Sequence, residues 1–421
     1  MKKRVVITGM GVIAPNATGV NEFRNALLNS ISGLQHVDDM EKAGFKCTVG
    51  GICNVSFDDV LAKFPQLNIP FLSRSTLMLV KAAHEALSMA GMETVFNNNT
   101  TSNLDIIIGS TIGPTDQWEH INALVDQNRQ RRLGSNAFEQ IINSSPAAML
   151  AGLTGASGRV ISNSLACASA TESIVEAANK IQYENKQMVI AGGVEPYSKY
   201  YWATMDAMKI IDEKHNDKPE TASRPMSASA RGFIPAEGCG VLIVENYEHA
   251  VARGAHIYAE IAGGHINCGG MKNGGSMSSA NYNKTEECIV NAIEDAGISP
   301  STIDFISGHL TGTKADPYEI QIWRNIMRDD FPYINSTKSL IGHAIGACGA
   351  IETIASVIQM NNHFIHASIN CEDIHPEILK NISEDNIVRK IKHNIQIKYT
   401  AKANFGFGDV NACLILKNTD E

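Results

Sequence analysis

The sequence predicts an α/β protein built from two similar halves. Along the 421 residues, apolar runs of strand length alternate with longer stretches whose apolar residues recur at helical spacing. Two such helical stretches, 76–90 and 285–296, each stop at a glycine and are each followed by a buried-strand signal, at 104–109 and 303–308. Alternating strands and helices favour mainly parallel sheets that are covered by helices.

The repetition continues in the segments that follow. A small-residue helix pattern at 171–182 precedes the apolar run 188–193, and a second helix pattern at 346–360 precedes the apolar run 364–369. Any two α/β halves share such features in outline, but here the segments also come in the same order and are similar in amino-acid sequence. We therefore expect a duplicated α/β unit.

Length and composition fit this interpretation. A chain of 421 residues is longer than one simple core usually holds, so two domains are expected, at residues 1–250 and 251–421. The composition is 44% hydrophobic and 19% charged, which is typical of a globular protein.

The opening residues carry two misleading signals. The basic start and the apolar run 5–14 imitate a signal peptide, but the run is short and is broken by Thr8 and two glycines. The same run contains a glycine pattern typical of dinucleotide binding, yet Pro15 falls where the phosphate-binding helix should already have begun. A buried opening strand is the better interpretation.

Charge and cysteine usage exclude several classes of protein. The net charge of −9 argues against nucleic-acid binding, and no apolar run is long enough to span a membrane. The nine cysteines are an odd number and lack the spacing of metal ligands. We expect reduced thiols in a cytoplasmic protein and no metal site.

Cys167 is the most informative residue for function. It lies in a small-residue stretch that runs straight into a predicted helix, and the start of a helix biases a thiol toward thiolate. His309 and His343 lie far downstream in glycine-rich turns, and the duplication gives Cys167 and His343 equivalent positions before equivalent helices. A pseudo-twofold would bring the three together, which indicates covalent acyl chemistry on a cysteine.

Five motifs in order resemble those of the β-ketoacyl-acyl-carrier-protein synthases, elongating condensing enzymes of the thiolase superfamily. The resemblance covers nearly the whole chain. It rests on the Cys167 segment, Arg224-Pro225 with Gly232-Phe233 and 236–240, His309 to Thr313, Lys338 to Gly349, and Asn404 to Gly408.

The resemblance implies a fold and an activity. The fold would be a duplicated, five-layer α-β-α-β-α arrangement with two mixed, mainly parallel sheets. The activity would be a decarboxylative Claisen condensation of an acyl group held on Cys167 with malonyl-acyl carrier protein. The alternative is a non-catalytic partner subunit of the chain-length-factor type, although such partners generally lack the cysteine that this chain keeps.

The resemblance also implies partners and residue roles. Acyl carrier protein would bring its substrates on phosphopantetheine, so no other cofactor is expected, and the chain would form a homodimer or a heterodimer with a homologous subunit. His309 and His343 would donate hydrogen bonds to the malonyl thioester oxygen, and Lys338 would position His309. The remaining expected roles are an oxyanion hole from the amides of Cys167 and Phe407, pantetheine contacts from Thr311 and Thr313, a gate at Phe407, an acyl-pocket wall at Ile112, and support from Glu352, Phe405 and Asn404.

Three features depart from the family pattern. Leu310 follows the first histidine where glycine is usual, and Asp409 replaces a glycine in the final loop, at a turn that tolerates aspartate less well. Tyr197, Tyr200, Tyr201 and Trp202 cluster in a chain that is only 6% aromatic. Because flat aromatic side chains favour stacking, the cluster favours aryl-polyene or polyketide-like acyl chains over saturated ones, unless it is core or dimer packing.

Overall fold

Eleven of the fifteen described strands form one long mixed sheet made of two equivalent parts, and the other four form two separate pairs. The computed structural model describes residues 2–97 and 102–419. The strands are β1 (Val5–Ala14), β2 (Ala17–Thr18), β3 (Leu34–His36), β4 (Val49–Gly51), β5 (Asp105–Gly109), β6 (Val160–Asn163), β7 (Met188–Glu195), β8 (Gly238–Asn246), β9 (Ala259–Cys268), β10 (Phe305–Ser307), β11 (Tyr333–Asn335), β12 (Phe364–Ile365), β13 (Lys392–His393), β14 (Tyr399–Gly406) and β15 (Val410–Lys417).

Helices cover the sheet and also divide its two parts. They are α1 (Val20–Leu28), α2 (Asp38–Lys42), α3 (Asp58–Lys63), α4 (Arg74–Met89), α5 (Trp118–Asp126), α6 (Ala137–Ile141), α7 (Ser145–Thr154), α8 (Ser169–Tyr183), α9 (Lys199–Ala207), α10 (Tyr247–Ala252), α11 (Tyr282–Asp295), α12 (Asp316–Met327), α13 (Lys338–Ile341), α14 (Cys348–Asn361) and α15 (Pro376–Leu379). Among the described residues, no helix is both long enough and apolar enough to cross a membrane.

The topology confirms the duplication. The first part has the strand order β6-β5-β7-β8-β1, and the second has the equivalent order β11-β10-β14-β15-β9. The two parts meet where β1 pairs with β9 over only two residue pairs, Val6 with Glu260 and Ile7 with Ala259. The division at residue 250 remains a prediction.

Pairing directions follow the same pattern in both parts. The pairs β5–β6 and β5–β7 are parallel, as are β10–β11 and β10–β14. The inner pairs β7–β8, β8–β1, β14–β15 and β15–β9 are antiparallel. The expectation of mixed sheets is therefore confirmed. Parallel pairing is limited to the outer three strands of each part, because β8 and β15 run antiparallel to both of their neighbours.

A central helical layer explains the five-layer arrangement. Helices α8 and α14 pack against each other, and α8 contacts strands of both parts. Helix α4 packs on the outer face of β1 and β8 in the first part, and α11 packs on the outer face of β9 and β15 in the second. Every residue of α14 from Cys348 to Met360 is buried, including the charged Glu352, as expected for a helix in the central layer.

Two glycines of β1 have a packing role. A Cβ atom at Gly9 would lie 2.0 Å from the carbonyl oxygen of Ala86, and one at Gly11 would lie 1.9 Å from that of Ala82. The glycine pattern that imitates a dinucleotide motif therefore lets α4 lie directly on the strand.

One predicted strand has a different place. The apolar run 364–369 was expected to match 188–193, but β12 pairs with β13 in a separate two-stranded sheet. Strand β14, further along the chain, takes the matching position beside β10. Residues 362–398 are thus an insertion between α14 and β14, which periodicity alone does not reveal.

Candidate active site

Cys167 lies in a tight turn at the start of α8. The turn, Ala166–Ala168, precedes the helix directly, and Ala166 has a left-handed backbone with φ of +46°. Such strain in a residue other than glycine is concentrated at functional sites. The turn presents the Cys167 sulfur to His343, whose Nε2 lies 3.0 Å from Sγ.

The backbone of His343 is held on both sides. Its N–H donates to the Ile234 carbonyl at 2.7 Å, and its own carbonyl accepts from the Ala236 N–H at 2.9 Å. The buried Nδ1 has no hydrogen-bond partner among the described residues. An unprotonated nitrogen is the less costly group to leave unpaired, so the proton belongs on Nε2, facing Cys167.

His309 is fixed by a buried carboxylate. The oxygens of Glu319, on α12, accept the backbone N–H groups of His309 and Leu310, each at 2.7 Å. The imidazole centres of His309 and His343 lie 5.3 Å apart, nearly perpendicular to each other. The sulfur of Cys167 and one nitrogen of each histidine all lie within 4.8 Å of one another. The predicted convergence of these three side chains is therefore present.

Asn404 sets the tautomer of His309. Its amide nitrogen lies 3.1 Å from His309 Nδ1 and 3.1 Å from Glu352 Oε2, while its amide oxygen accepts the Thr171 hydroxyl at 2.6 Å. Because a carboxylate only accepts hydrogen bonds, the NH₂ end of Asn404 must face Glu352. His309 Nδ1 therefore accepts a hydrogen bond, and Nε2 carries the proton.

A buried charge cluster lies behind the histidines. The Glu352 carboxylate pairs with Lys338 through Oε1 and with Lys402 through Oε2, the latter at 2.7 Å. All three side chains are at most 1% exposed. Burial acts to raise the pKa of Glu352, but the two ammonium groups outweigh it and hold this pKa at about 2. Burial lowers and Glu352 raises the pKa of Lys338, with a net increase.

This environment keeps both imidazoles neutral. Burial, followed by the charge of Lys338, holds the pKa values of His309 and His343 well below the usual 6.5. Both side chains are therefore N–H donors rather than cations near neutral pH.

The thiol of Cys167 differs from the sequence-based expectation. Burial raises its pKa to about 12, and Lys338 opposes this only in part. The expected bias toward thiolate from the helix start is thus outweighed by desolvation in the resting site. Burial likewise raises the pKa of Cys348, at the start of α14, well above the usual value.

Supporting residues and the pantetheine candidates fall around this centre. The ring of Phe405 lies 5.8 Å from that of His309. The hydroxyls of Thr311 and Thr313 lie 3.0 Å apart, in a loop whose backbone is held by the buried Asp316. The pantetheine role of the two threonines remains a prediction.

The loop after β14 carries the predicted gate. Phe407 is 40% exposed. A Cβ atom at Gly406 would lie 3.2 Å from the Cys167 amide nitrogen, so this loop passes close to the proposed oxyanion hole. Asp409 does adopt a left-handed backbone, with φ of +61°. Its carboxylate offsets that cost by accepting the N–H groups of Met271 at 2.9 Å and Asn281 at 2.7 Å.

The segment near the predicted acyl pocket is tied to the centre by Glu195. Its Oε2 accepts the N–H groups of Thr111 at 2.9 Å and Gly346 at 3.0 Å. Ile112, the predicted pocket wall, follows Thr111 and is partly buried. Its role in lining the pocket remains a prediction.

The aromatic cluster divides into core and site. Trp202 is fully buried, with the ring of Tyr197 edge-on at 4.8 Å. Tyr201 and Cys167 both pack against the apolar cluster that contains Trp202. Burial, then Glu195 and Cys167, raise the pKa of Tyr201. Leu310, the other departure, is fully buried in the core of the second part and lines no site.

Sequence reasoning missed three residues that shape the site. Glu319 and Asp316 lie in the first turn of α12, where acidic residues are commonly solvated, so the sequence does not indicate that they are buried. Lys402 could have been found, because it lies between two alanines in a strand, where a buried lysine needs a partner.

The same three reactive side chains have the composition of a metal site. One sulfur and two imidazole nitrogens suit zinc, but the neighbouring ammonium groups of Lys338 and Lys402 oppose a cation there. A duplicated α/β fold that instead surrounds a cysteine with two neutral imidazole donors belongs to the class of thiolase-fold condensing proteins.

Comparison with known proteins gives the family. The β-ketoacyl synthase N-terminal domain model matches residues 2–250, and the C-terminal domain model matches residues 258–372. The chain belongs to the β-ketoacyl synthase family.

Individual relatives agree. The chain is 32% identical to 3-oxoacyl-[acyl-carrier-protein] synthase 1 of Haemophilus influenzae, over 99% of each chain. It is 29% identical to a putative polyketide beta-ketoacyl synthase 1 of Streptomyces cyaneus, over 99% of this chain and 98% of the relative. A solved type II polyketide ketosynthase in complex with its acyl-carrier protein, bound to the hexaketide, has a TM-score of 0.88 and 27% identity over 100% of each chain.

Proposed function

We propose that this protein condenses an acyl group held on Cys167 with malonyl-acyl carrier protein and releases β-ketoacyl-acyl carrier protein and CO₂. The observation that carries the proposal is the convergence of the Cys167 sulfur with the imidazole nitrogens of His309 and His343 within 4.8 Å. A sulfur nucleophile beside two neutral donors suits both a thioester intermediate and an enolate.

The first half-reaction loads the cysteine. The sulfur of Cys167 attacks the thioester carbonyl of an acyl carrier protein, and the bond from that carbonyl to the pantetheine sulfur breaks. The departing thiolate takes up the proton that the Cys167 thiol gives up. His343 Nε2–H, 3.0 Å from Sγ, stabilises the cysteine sulfur as its charge develops, and the amides of Cys167 and Phe407 bind the carbonyl oxygen.

The second half-reaction forms the carbon–carbon bond. The malonyl thioester loses CO₂, and the electron pair of that bond becomes an enolate whose oxygen accepts the Nε2–H groups of His309 and His343. The enolate carbon attacks the acyl-Cys167 carbonyl, the carbon–sulfur bond breaks, and the Cys167 thiolate takes up one proton. Thr311 and Thr313 hold the pantetheine arm, Phe407 opens and closes the entrance, and Ile112 bounds the acyl chain.

Carrier protein, a second subunit and a cytoplasmic location complete the proposal. Substrates arrive on phosphopantetheine, so the reaction needs no cofactor bound by this chain.

Strand β6 ends the sheet with one described neighbour, and Val160 on this strand is 38% exposed. A homologous subunit is therefore expected to cover this edge, as a homodimer or heterodimer. All nine cysteines are free, which suits a reducing compartment.

The acyl chain is proposed to be unsaturated or aromatic, as in aryl-polyene or polyketide-like synthesis rather than saturated fatty-acid synthesis. Tyr201, which packs on the same apolar cluster as Cys167, supports this choice, since flat rings stack on conjugated chains. The presence of Cys167 and both histidines disfavours the non-catalytic partner role.

The test is to incubate the protein with a panel of acyl-acyl carrier proteins and malonyl-acyl carrier protein, and to weigh the products. Extension of an acyl chain by a two-carbon β-keto unit, with CO₂ release, is the expected result. A protein that takes up no acyl group and releases no CO₂, but activates a homologous synthase when mixed with it, would instead be a partner subunit.

A further inference from the structure

Lys402 lies behind the two histidines and has no role in the chemistry above. It occupies the middle of β14 between Ala401 and Ala403, and its side chain is fully buried. Its Nζ lies 2.7 Å from Glu352 Oε2 and also donates to the Ala403 carbonyl at 2.5 Å. A fully buried lysine is rare and costly, so its retention in this strand requires a physical reason.

The charges around Lys402 do not balance. Glu352 is ionised and pairs with the side chains of both Lys338 and Lys402. Burial outweighs the attraction of Glu352 and lowers the pKa of Lys402, and the cluster carries one excess positive charge when both lysines are protonated. The other carboxyl group that acts on Lys338 is Glu319, whose pKa burial raises to about 7, so it supplies only part of a counter-charge near neutrality. An excess charge in a dry site attracts an anion strongly.

The cluster is connected to the reacting groups. Glu352 Oε2, which pairs with Lys402, also accepts from the Asn404 amide, and that amide lies 3.1 Å from His309 Nδ1. Lys402 therefore acts on His309 through Glu352 and Asn404, and it contacts no substrate position itself.

Building on the proposed function, we propose that Lys402 is a positioning residue for decarboxylation: it leaves an unmatched positive charge behind His309 and His343 that the malonyl carboxylate, and then the enolate, neutralises. One lysine is enough to hold the Glu352 carboxylate, so a second one changes the net charge of the site from neutral to positive. The second charge acts when negative charge forms on the substrate, where it lowers the barrier.

The same charge affects how the imidazoles titrate. Lys402 is among the groups that lower the pKa values of His309 and His343. Lys402 and its neighbour Lys338, on α13, are surrounded by further ionisable groups from three elements. These groups are Glu352 and Cys348 on α14, Cys413 on β15, and Glu319 on α12. Removal of Lys402 deletes a cation, so both imidazoles should protonate at higher pH.

The experiment measures CO₂ release from malonyl-acyl carrier protein by wild type, Lys402→Met and Lys402→Gln from about pH 5 to pH 8. Lys180→Met is the matched control, because Lys180 is equally buried but lies on α8, paired with Glu184. Both Lys402 variants should lose about tenfold in rate near neutral pH, and their acid limb should move to higher pH. The control should match wild type in both respects.

A further readout separates the possible outcomes. Imidazole NMR titration of the resting protein, with His309 assigned by its loss in His309→Ala, should show a raised pKa in the Lys402 variants without any turnover. The proposal would be overturned if both variants kept the wild-type pH dependence of CO₂ release and the wild-type imidazole titrations. Retention of activity by Lys402→Gln alone would also overturn it, since glutamine keeps a hydrogen bond but no charge. Failure of both variants to fold would make Lys402 a stability element and would also overturn it. A wild-type protein that releases no CO₂ would contradict the proposed function instead.

Discussion

Cys167 Sγ lies 3.0 Å from His343 Nε2, although 176 positions separate the two residues in the chain. Cys167 lies in the turn Ala166–Ala168 just before α8, and the equivalent turn before α14 is Ile345–Ala347. The residue that matches Cys167 is therefore Gly346, and His343 lies three residues before it, so the expected equivalence of Cys167 with His343 is wrong. The duplicated fold still places these two turns in contact, which brings His343 beside the nucleophile. His309 is added from the end of β10, next to them.

Replacing the nucleophile gives the first prediction. Cys167→Ala should abolish condensation, because the other cysteine at the centre, Cys348, is fully buried and is directed at the Cys167 carbonyl. Intact-protein mass after treatment with an acyl-acyl carrier protein should show one acyl adduct on wild type and none on the variant. An adduct that persists in Cys167→Ala would place the nucleophile elsewhere.

The protonation state of Cys167 gives a second prediction. Because burial raises its pKa to about 12, the resting thiol is protonated at neutral pH, and iodoacetamide should label it slowly there and faster as pH rises. Cys268 is exposed and serves as the internal control, which should be labelled first at pH 7. Peptide mapping after short exposure decides the order. Labelling of Cys167 first would mean that the helix start governs this thiol after all.

The two histidines should separate the half-reactions. His309→Ala should slow the decarboxylation of malonyl-acyl carrier protein about a hundredfold, the effect of losing one donor to an oxyanion of roughly 3 kcal/mol. Acyl loading of Cys167 should be nearly intact, since His309 is not the imidazole beside the sulfur. His343→Ala should slow both steps, because its Nε2 faces Cys167. Loss of loading with unchanged CO₂ release in His309→Ala would make His309 a base for the thiol.

Glu195 should make stability depend on pH. Burial raises its pKa from the ordinary 4.5 to about 7, so folding favours the protonated form. This stabilisation is complete below about pH 4.5 and is lost as pH rises through 7, a change of roughly 3 kcal/mol. Glu195→Gln keeps an oxygen for the N–H groups of Thr111 and Gly346 but cannot ionise. Denaturant unfolding at both ends of this window should show a smaller pH dependence for the variant, and an equal dependence would assign it to other groups.

The sequence was sufficient for the centre because local signals and the repeat agreed there. The strand 5–14 and the helix after Cys167 both follow from patterns that tertiary packing reinforces. The pairing of β12 with β13 and the place of β14 do not, since strand partners are chosen by long-range contacts rather than by periodicity.

Electrostatics was the less predictable part. A thiol at a helix start suggested a low pKa for Cys167, but the degree of burial decides which effect is larger, and a linear sequence does not show burial. Similarly, Glu319 resembles an ordinary charge of a first helical turn until both of its oxygens are seen to hold the backbone of His309 and Leu310.

The last prediction concerns the acyl chain. Trp202 packs inside the subunit, which removes it from both substrate contact and dimer packing. Tyr201 is the tyrosine of the aromatic cluster to test, because Cys167 acts on its pKa and both residues pack on the same apolar cluster. Tyr201→Leu should lower kcat/KM for an unsaturated or aryl-capped acyl carrier protein by roughly 2- to 10-fold relative to a saturated chain of similar length, the equivalent of one stacking pair. Tyr200→Leu is the matched control, because Tyr200 is a neighbouring tyrosine that is 44% exposed. Competition between the two substrates, with products separated by mass, measures the preference directly. If wild type itself prefers the saturated chain, the protein serves ordinary fatty-acid synthesis, and Tyr201 is then a packing residue on the apolar cluster that it shares with Cys167.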